Sequence, residues 1–235
     1  MNPANIRAAR IIVFDVNETL LDLTTIEPLF ERIFGDARML REWFSELILY
    51  SQSMTLAELY TPFGELAAGT MRMVGTNNGI AVSDADIAEL KELIGSMPAY
   101  PDVIPALERL SNAGFRLVTL TNSANSLPPS PLEKAGIAHF FDRQFSVEAV
   151  GKFKPAQETY RYVAHELGVE TKTLCMVACH LWDIIGAQAA GYQGAFIDRP
   201  HNALLPASKV PLPDLVASEL TKLAELIINR NPQPK

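Results

Sequence analysis

The chemistry open to this sequence is set by Asp15, Thr19, Thr121, Lys154, His180 and Asp183, with Asn122 and Tyr160 nearby in the chain. Carboxylate, hydroxyl, ammonium and imidazole are the groups of nucleophilic and acid–base work. Asp15 follows Ile11-Ile12-Val13-Phe14, an apolar run too short for a helix and suited to a strand buried on both faces. Its carboxylate would then be aimed into the crevice at the carboxyl edge of an open α/β sheet, where ligands bind. Each residue also has a plainer reading. Asp15 and Thr121-Asn122-Ser123 suit turns, Asp183 suits a helix cap, and Lys154 before Pro155 suits a solvated helix start. What those readings do not cover is the placement of all these groups where successive elements finish.

The elements that must position them alternate. Phe115–Leu120, Gln144–Val147, Thr173–Ala178 and a last short strand Gly194–Asp198 read as strands. Between them lie helices capped by Asp102 and stopped at Gly114, ending at Gly136, running from Lys154-Pro155 to Leu167 before Gly168, and running from about Asp183 to Ala190. Such alternation implies right-handed βαβ crossovers and a mostly parallel, Rossmann-like α/β sheet. Residues 23–97 differ, reading as helical throughout. Thr24 or Thr25 caps a helix closed by Gly35, and a segment from Asp36 to about Tyr50 repeats apolar residues at spacings of three and four. Leu56–Ala68 and Met71–Val74 continue the pattern, and Ser83-Asp84-Ala85-Asp86 forms a capping box before Ile87–Ile94. The expectation is a core domain of residues 1–22 and 98–235 carrying an inserted helical cap domain of residues 23–97. Beyond Pro200 the sequence predicts a helix near Leu215–Ile228 and a frayed end.

A chain of 235 residues, 48% apolar and 20% charged, can bury a substantial core. Its net charge of −7 excludes non-specific nucleic-acid binding, and any anion site must be local. Met1–Arg10 lacks the apolar run of a signal peptide, and no apolar stretch approaches the roughly 18 residues that span a bilayer. Cys175 and Cys179 have neither disulfide-framework nor zinc-site spacing, so a reduced, cytoplasmic protein is expected.

The ordered set Asp15, Thr121, Lys154 and Ala178–Asp183 resembles the four motifs of the haloacid dehalogenase superfamily, over essentially the whole core. The resemblance implies that Asp15 is the nucleophile, Thr121 the second-motif hydroxyl and Lys154 the third-motif lysine. Two departures separate the chain from the superfamily's phosphatases. Their second acid, two positions after the nucleophile, is here Asn17, which has no proton to give. Their magnesium-holding acid, five positions before the last motif aspartate, is here Ala178. Halide needs no such proton, whereas phosphate transfer leans on the cation. Together with Ser146–Val150, Lys154-Pro155 through Tyr160 and Trp182-Asp183, these departures are similar to the type II 2-haloacid dehalogenase branch.

That likeness implies hydrolysis of short 2-haloalkanoic acids without a metal or other cofactor, through an ester on Asp15, and a homodimer. Lys154 would keep Asp15 ionised, and Thr19, Tyr160 and Asn122 would orient carboxylates. Asp183 would orient Lys154 or position the hydrolytic water. Val16, Asn17, Thr121, Asn122, Arg41, Phe44 and Trp182 are the expected substrate contacts, with Trp43 and Phe63 as further candidate walls. The branch carries an Arg directly after a cap Trp; if Trp43 is that Trp, Phe44 stands in its place. Arg41, on the same helix face, either substitutes or is a solvated surface residue. His180, where the branch has Asn, either activates the ester-cleaving water or is a satisfied buried imidazole. Asn17 replaces a frequent aromatic, so the pocket differs in size or polarity. A magnesium-dependent phosphatase and a catalytically silent binding protein are the alternatives.

Overall fold

The computed structural model describes residues 11–125 and 127–231. Its centre is a six-stranded sheet, parallel throughout, in the order β3-β2-β1-β4-β5-β6. The strands are β1 (Ile11–Phe14), β2 (Arg116–Thr121), β3 (Arg143–Ser146), β4 (Leu174–Ala178), β5 (Gln193–Ile197) and β6 (Leu215–Ala217). The two central strands β1 and β4 are buried along their whole length, as their unbroken apolar runs require. Full burial of each of Ile12, Val13 and Phe14 contributes roughly 1.5–3 kcal/mol.

Four helices separate β1 from the next core element: α1 (Glu27–Phe34), α2 (Met39–Leu56), α3 (Phe63–Asn77) and α4 (Asp84–Ile94). Then come α5 (Val103–Asn112), α6 (Pro131–Lys134), α7 (Gln157–Leu167), α8 (Leu181–Ala189) and α9 (Leu220–Arg230). Val103, Ala106, Leu107 and Leu110 form one buried stripe of α5, which packs against α9 and β2. On β4 and β5 lies α8, with α7 against it. The chain crosses from one side of β1 to the other between β3 and β4. Ligand crevices form at such a switch point.

Several local expectations are corrected. Leu215–Ala217 is a sixth strand rather than the start of a helix, so Gly194–Asp198 does not hold the last strand. The helical run across Leu56–Ala68 breaks, because Thr61 precedes Pro62, which restricts its neighbour and starts α3. Met71–Val74 belongs to that same helix. The first cap is Asp22, which accepts from Thr24 N at 2.9 Å at the start of a 3-10 turn, Leu23–Ile26. Asp102 precedes α5 without capping it, since Arg199 and the Leu220 N–H take its carboxylate. By contrast the Ser83–Asp86 capping box forms as read. The α7 helix begins after Lys154-Pro155, and α8 begins ahead of Asp183, at Leu181. The frayed end falls on residues 232–235, outside those described. Among the described residues, no helix is long and apolar enough to cross a membrane.

Candidate active site

Asp15 leaves β1 with its N–H still paired to the Val177 carbonyl of β4, so the sheet ladder itself fixes where the carboxylate starts. Both of its oxygens are engaged. Lys154 Nζ donates to Oδ1 at 2.7 Å, and Thr19 Oγ1 donates to Oδ2 at 2.7 Å. His180 Nδ1 lies 3.2 Å from Oδ2. Burial alone would push the Asp15 carboxyl up, but the Lys154 ammonium and His180 more than reverse this and hold it well below the usual carboxylate range.

Lys154 is 1% exposed and has three acceptors, which match the three protons of its ammonium. They are Asp15, the Leu120 carbonyl at the end of β2, and Asp183 Oδ2 at 2.7 Å. Burial disfavours its charge, yet the two carboxylates push its pKa upward, so it stays an ammonium. Tyr160 donates to Asp183 Oδ1 at 2.5 Å. Burial and Asp183 push that hydroxyl well above its ordinary value, leaving it a donor. Desolvation raises Asp183 itself, against the pull of Lys154.

The loop after Asp15 is held from two sides. Cys179 N donates to Thr19 Oγ1 at 3.0 Å, leaving the hydroxyl proton for Asp15. Arg199, 7% exposed and stacked 4.0 Å over Tyr100, donates to the Thr19 carbonyl through Nε and Nη2. Sequence reasoning missed Arg199, whose partners lie far away in the chain.

It also missed Glu18. This residue is 1% exposed and adopts the left-handed φ of 66°, a strain of order 1–3 kcal/mol that only a well-determined surrounding sustains. One carboxylate oxygen accepts from Arg41 Nη1, while the other lies 2.8 Å from His180 Nε2. Burial pushes Glu18 up, but His180 and Arg41 outweigh it and lower its pKa. The signal available in sequence was an acid wedged between Asn17 and Thr19, three residues past the nucleophile.

Of the two readings of Arg41, the solvated one is excluded, since its side chain is 23% exposed and paired with Glu18. Its Nε and Nη2 are buried without a hydrogen-bond partner among the described residues. Those two nitrogens share one edge of the guanidinium, the geometry that takes a carboxylate side-on. His180 is satisfied on both nitrogens and sandwiched between Phe44 at 5.4 Å and Trp182 at 4.9 Å. Burial disfavours its cation, but the bonds to the Asp15 and Glu18 carboxylates hold its pKa well above the ordinary imidazole value.

A cavity of about 400 Å³ opens beside this network, between the α2–α4 helices and the carboxyl ends of β2 and β3. Val16, Asn17, Phe44 and Thr121 line it as expected, with Trp43 and Phe63. Arg41, Asn122 and Trp182 are not in its wall. Asn122 Oδ1 accepts from the Lys154 N–H at 3.0 Å, so the amide oxygen sets the lysine's backbone. The Thr121 hydroxyl accepts from Ser123 N at 3.1 Å, and Asn17 Nδ2 donates to Ser123 Oγ at 3.3 Å.

Asp15, Cys179 and His180 bring one potential ligand atom each within 4.8 Å of one another. They do not fit magnesium, which demands an oxygen shell. Burial pushes the Cys179 thiol up and keeps it protonated, both His180 nitrogens face carboxylates, and Lys154 occupies the Asp15 oxygen.

Comparison with known proteins agrees with this geometry. The chain is similar to (S)-2-haloacid dehalogenase 1 of Pseudomonas sp. (strain CBS-3), with 29% identity over 192 residues, covering 81% of this chain and 85% of that protein. Haloacetate dehalogenase H-2 of Moraxella sp. (strain B) is 24% identical over 192 residues, covering 80% and 85%. The solved L-2-haloacid dehalogenase of Xanthobacter autotrophicus shares the fold, with a TM-score of 0.84 at 22% identity over 93% of this chain and 98% of that one. A model of haloacid dehalogenase-like hydrolases matches residues 9–191. With Asp15, Lys154 and Asp183 joined at the carboxyl edge of its sheet, the chain belongs to the haloacid dehalogenase-like hydrolases.

Proposed function

We propose that the protein is a hydrolytic dehalogenase of 2-haloalkanoic acids, of the (S)-2-haloacid type. One observation carries this reading. Asp15 is a buried, ionised carboxylate braced by an ammonium at 2.7 Å, with Asn17 and Ala178 where a phosphatase needs its acid and its metal ligand. Of the relatives above, one is named an (S)-2-haloacid dehalogenase and the other a haloacetate dehalogenase, and both names support the reading.

In the first half-reaction an Asp15 oxygen attacks the carbon bearing the halogen from the side opposite the halide. The carbon–halogen bond breaks with its electron pair and an ester forms. In the second, water cleaves the ester and releases the 2-hydroxy acid. Lys154 keeps Asp15 anionic, Asp183 and Tyr160 keep Lys154 in place, and Thr19 orients the attacking carboxylate. The free edge of Arg41 receives the substrate carboxylate, taking the part of the branch's cap arginine. Thr121, Val16, Asn17 and Phe44 face the substrate's carbon chain, and Trp182 and Asn122 support the site from behind.

We assign residues 23–97 as the cap domain and 1–22 with 98–235 as the core, because the described part of the insert contributes only helices and Arg41 reaches back to the core loop. The cavity exceeds a two- or three-carbon acid, which favours substrates with an apolar group on carbon 2. Two buried free thiols support a reducing, cytoplasmic setting. Family resemblance supports a homodimer, which sedimentation velocity tests.

The test offers purified protein chloroacetate, bromoacetate and each enantiomer of 2-chloropropionate in EDTA, with an aryl phosphate and Mg²⁺ in parallel. Halide release that Asp15→Asn abolishes is the expected result. Phosphate release dependent on Mg²⁺ would overturn it.

A further inference from the structure

The dehalogenase reading gives no task to Arg199, a buried cation two residues beyond β5. Its guanidinium lies 4.0 Å over the Tyr100 ring and forks onto Asp102, with Nη1 and Nη2 each 2.9 Å from one carboxylate oxygen. Asp102 also takes the Leu220 N–H at 2.7 Å, so the fork is pinned to the starts of α5 and α9. Nε and the second proton of Nη2 then meet a single target, the Thr19 carbonyl, at 3.3 and 3.1 Å. A planar guanidinium holds two such acceptors at a fixed mutual angle, which a flexible ammonium does not.

Thr19 is fully buried, and among the described residues no backbone N–H reaches its carbonyl. Its hydroxyl accepts from Cys179 N and donates to Asp15 Oδ2. Carbonyl and hydroxyl of this one residue therefore join the clamp to the nucleophile. The clamp also lies where both connections to the helical insert pass. Tyr100 N donates to the Leu20 carbonyl at 3.0 Å, and Asp22 N donates to the Pro98 carbonyl at 2.8 Å. Arg199 meets one connection at Thr19 and the other at Tyr100 and Asp102. We propose that Arg199 is the positioning residue for halide displacement, holding the Thr19 carbonyl against the core so that the Thr19 hydroxyl stays on Asp15. This rests on the dehalogenase reading and deepens it by adding to the first half-reaction a residue that acts on Asp15 only through Thr19. In that step an Asp15 oxygen bonds to the carbon while halide leaves with its electron pair, so the carboxylate must keep one orientation as it attacks. Without Arg199 the Thr19 carbonyl is a buried acceptor with no donor, and the loop must swing toward water to satisfy it. The hydroxyl moves with the loop, leaving Asp15 to Lys154 and His180.

A plain brace between α5 and α9 would use the same Asp102 contacts, so the test must separate support of the fold from support of Thr19. Arg199→Met, Thr19→Val and the double variant are compared with the wild-type chain on 2-chloropropionate, by rapid-quench halide release and by urea denaturation. For Arg199→Met the expected result is a first-turnover rate lowered about 10- to 100-fold, with KM within about threefold of wild type. In the double variant the rate should fall no further than in Thr19→Val, because the hydroxyl through which Arg199 acts is already gone, while both stability losses still show. Arg199→Lys keeps a cation on Asp102 without the paired donors on the carbonyl, and should recover stability more fully than rate. Rate losses that multiply in the double variant, or an unchanged first-turnover rate beside lowered stability, would leave Arg199 a brace alone and overturn the proposal. Failure of both Arg199 variants to fold would do the same. A wild-type chain that releases no halide sinks the dehalogenase reading itself, an outcome read before any variant is compared.

Discussion

Arg41 and Glu18 form an ion pair that ties a helix of the insert to the loop carrying the nucleophile. Only Nη1 of the guanidinium is used in this pair, and the opposite edge is buried with no partner among the described residues. Charged hydrogen bonds of that kind are worth about 1.5–3 kcal/mol. Arg41→Leu is therefore expected to raise KM for 2-chloropropionate about 10- to 100-fold while lowering kcat much less. Steady-state halide assays decide this, and a kcat effect with unchanged KM would contradict it.

Lys154 is the common partner of two buried carboxylates, and replacing it by Met leaves Asp183 without a cation among the described residues and Asp15 with His180 alone. Removing one member of a buried charge network typically costs about 3–5 kcal/mol. We expect Lys154→Met to lose that much in urea denaturation and to lose measurable halide release. A variant of wild-type stability would show that Asp15 and Asp183 do not depend on the ammonium.

Stability should respond to pH through His180 with a definite sign. Its folded pKa is raised above the unfolded value, so its contribution is complete below about pH 6.5 and is lost as pH climbs toward the folded value. The wild-type chain should lose up to about 1.4 kcal/mol per pH unit relative to His180→Asn over that interval. Urea midpoints at several pH values from neutral upward measure it; a widening wild-type advantage would have the wrong sign. Asp15 and Glu18 act in the opposite direction, stabilising above the ordinary carboxylate range and losing that contribution in acid.

Asn17 lies in the cavity wall where a larger ring would narrow it. For Asn17→Phe we expect chloroacetate turnover within a few-fold of wild type, and 2-bromohexanoate turnover reduced at least about 10-fold. Equal losses on both acids would mean that the cavity does not receive the substrate chain.

How much of this was readable in the chain depended on distance. Asp15, Thr19, Lys154 and Asp183 were legible because each lies near the end or start of an element whose apolar pattern is plain, whereas Tyr160, inside α7, was singled out only by the resemblance. The sixth strand was not legible, since Leu215-Val216-Ala217 is three residues long and merges into the amphipathic pattern of α9. Glu18 and Arg199 escaped for a related reason. An isolated acid or arginine is ordinarily solvated, and only folding brings Arg41 to Glu18 across 23 positions or Arg199 to Thr19 across 180. Asn122 was recognised as important, but its bond to the Lys154 N–H was not foreseen, because nothing local says which backbone group its amide oxygen will meet.

The Arg41–Glu18 clasp limits what evolution or an engineer can exchange. A helical insert with no arginine at position 41 would keep Asp15 and Lys154 untouched, yet leave Glu18 without its second cation. That carboxylate would then be balanced by the imidazole alone. Recombining inserts in this lineage must therefore move Arg41 and Glu18 as a single heritable unit.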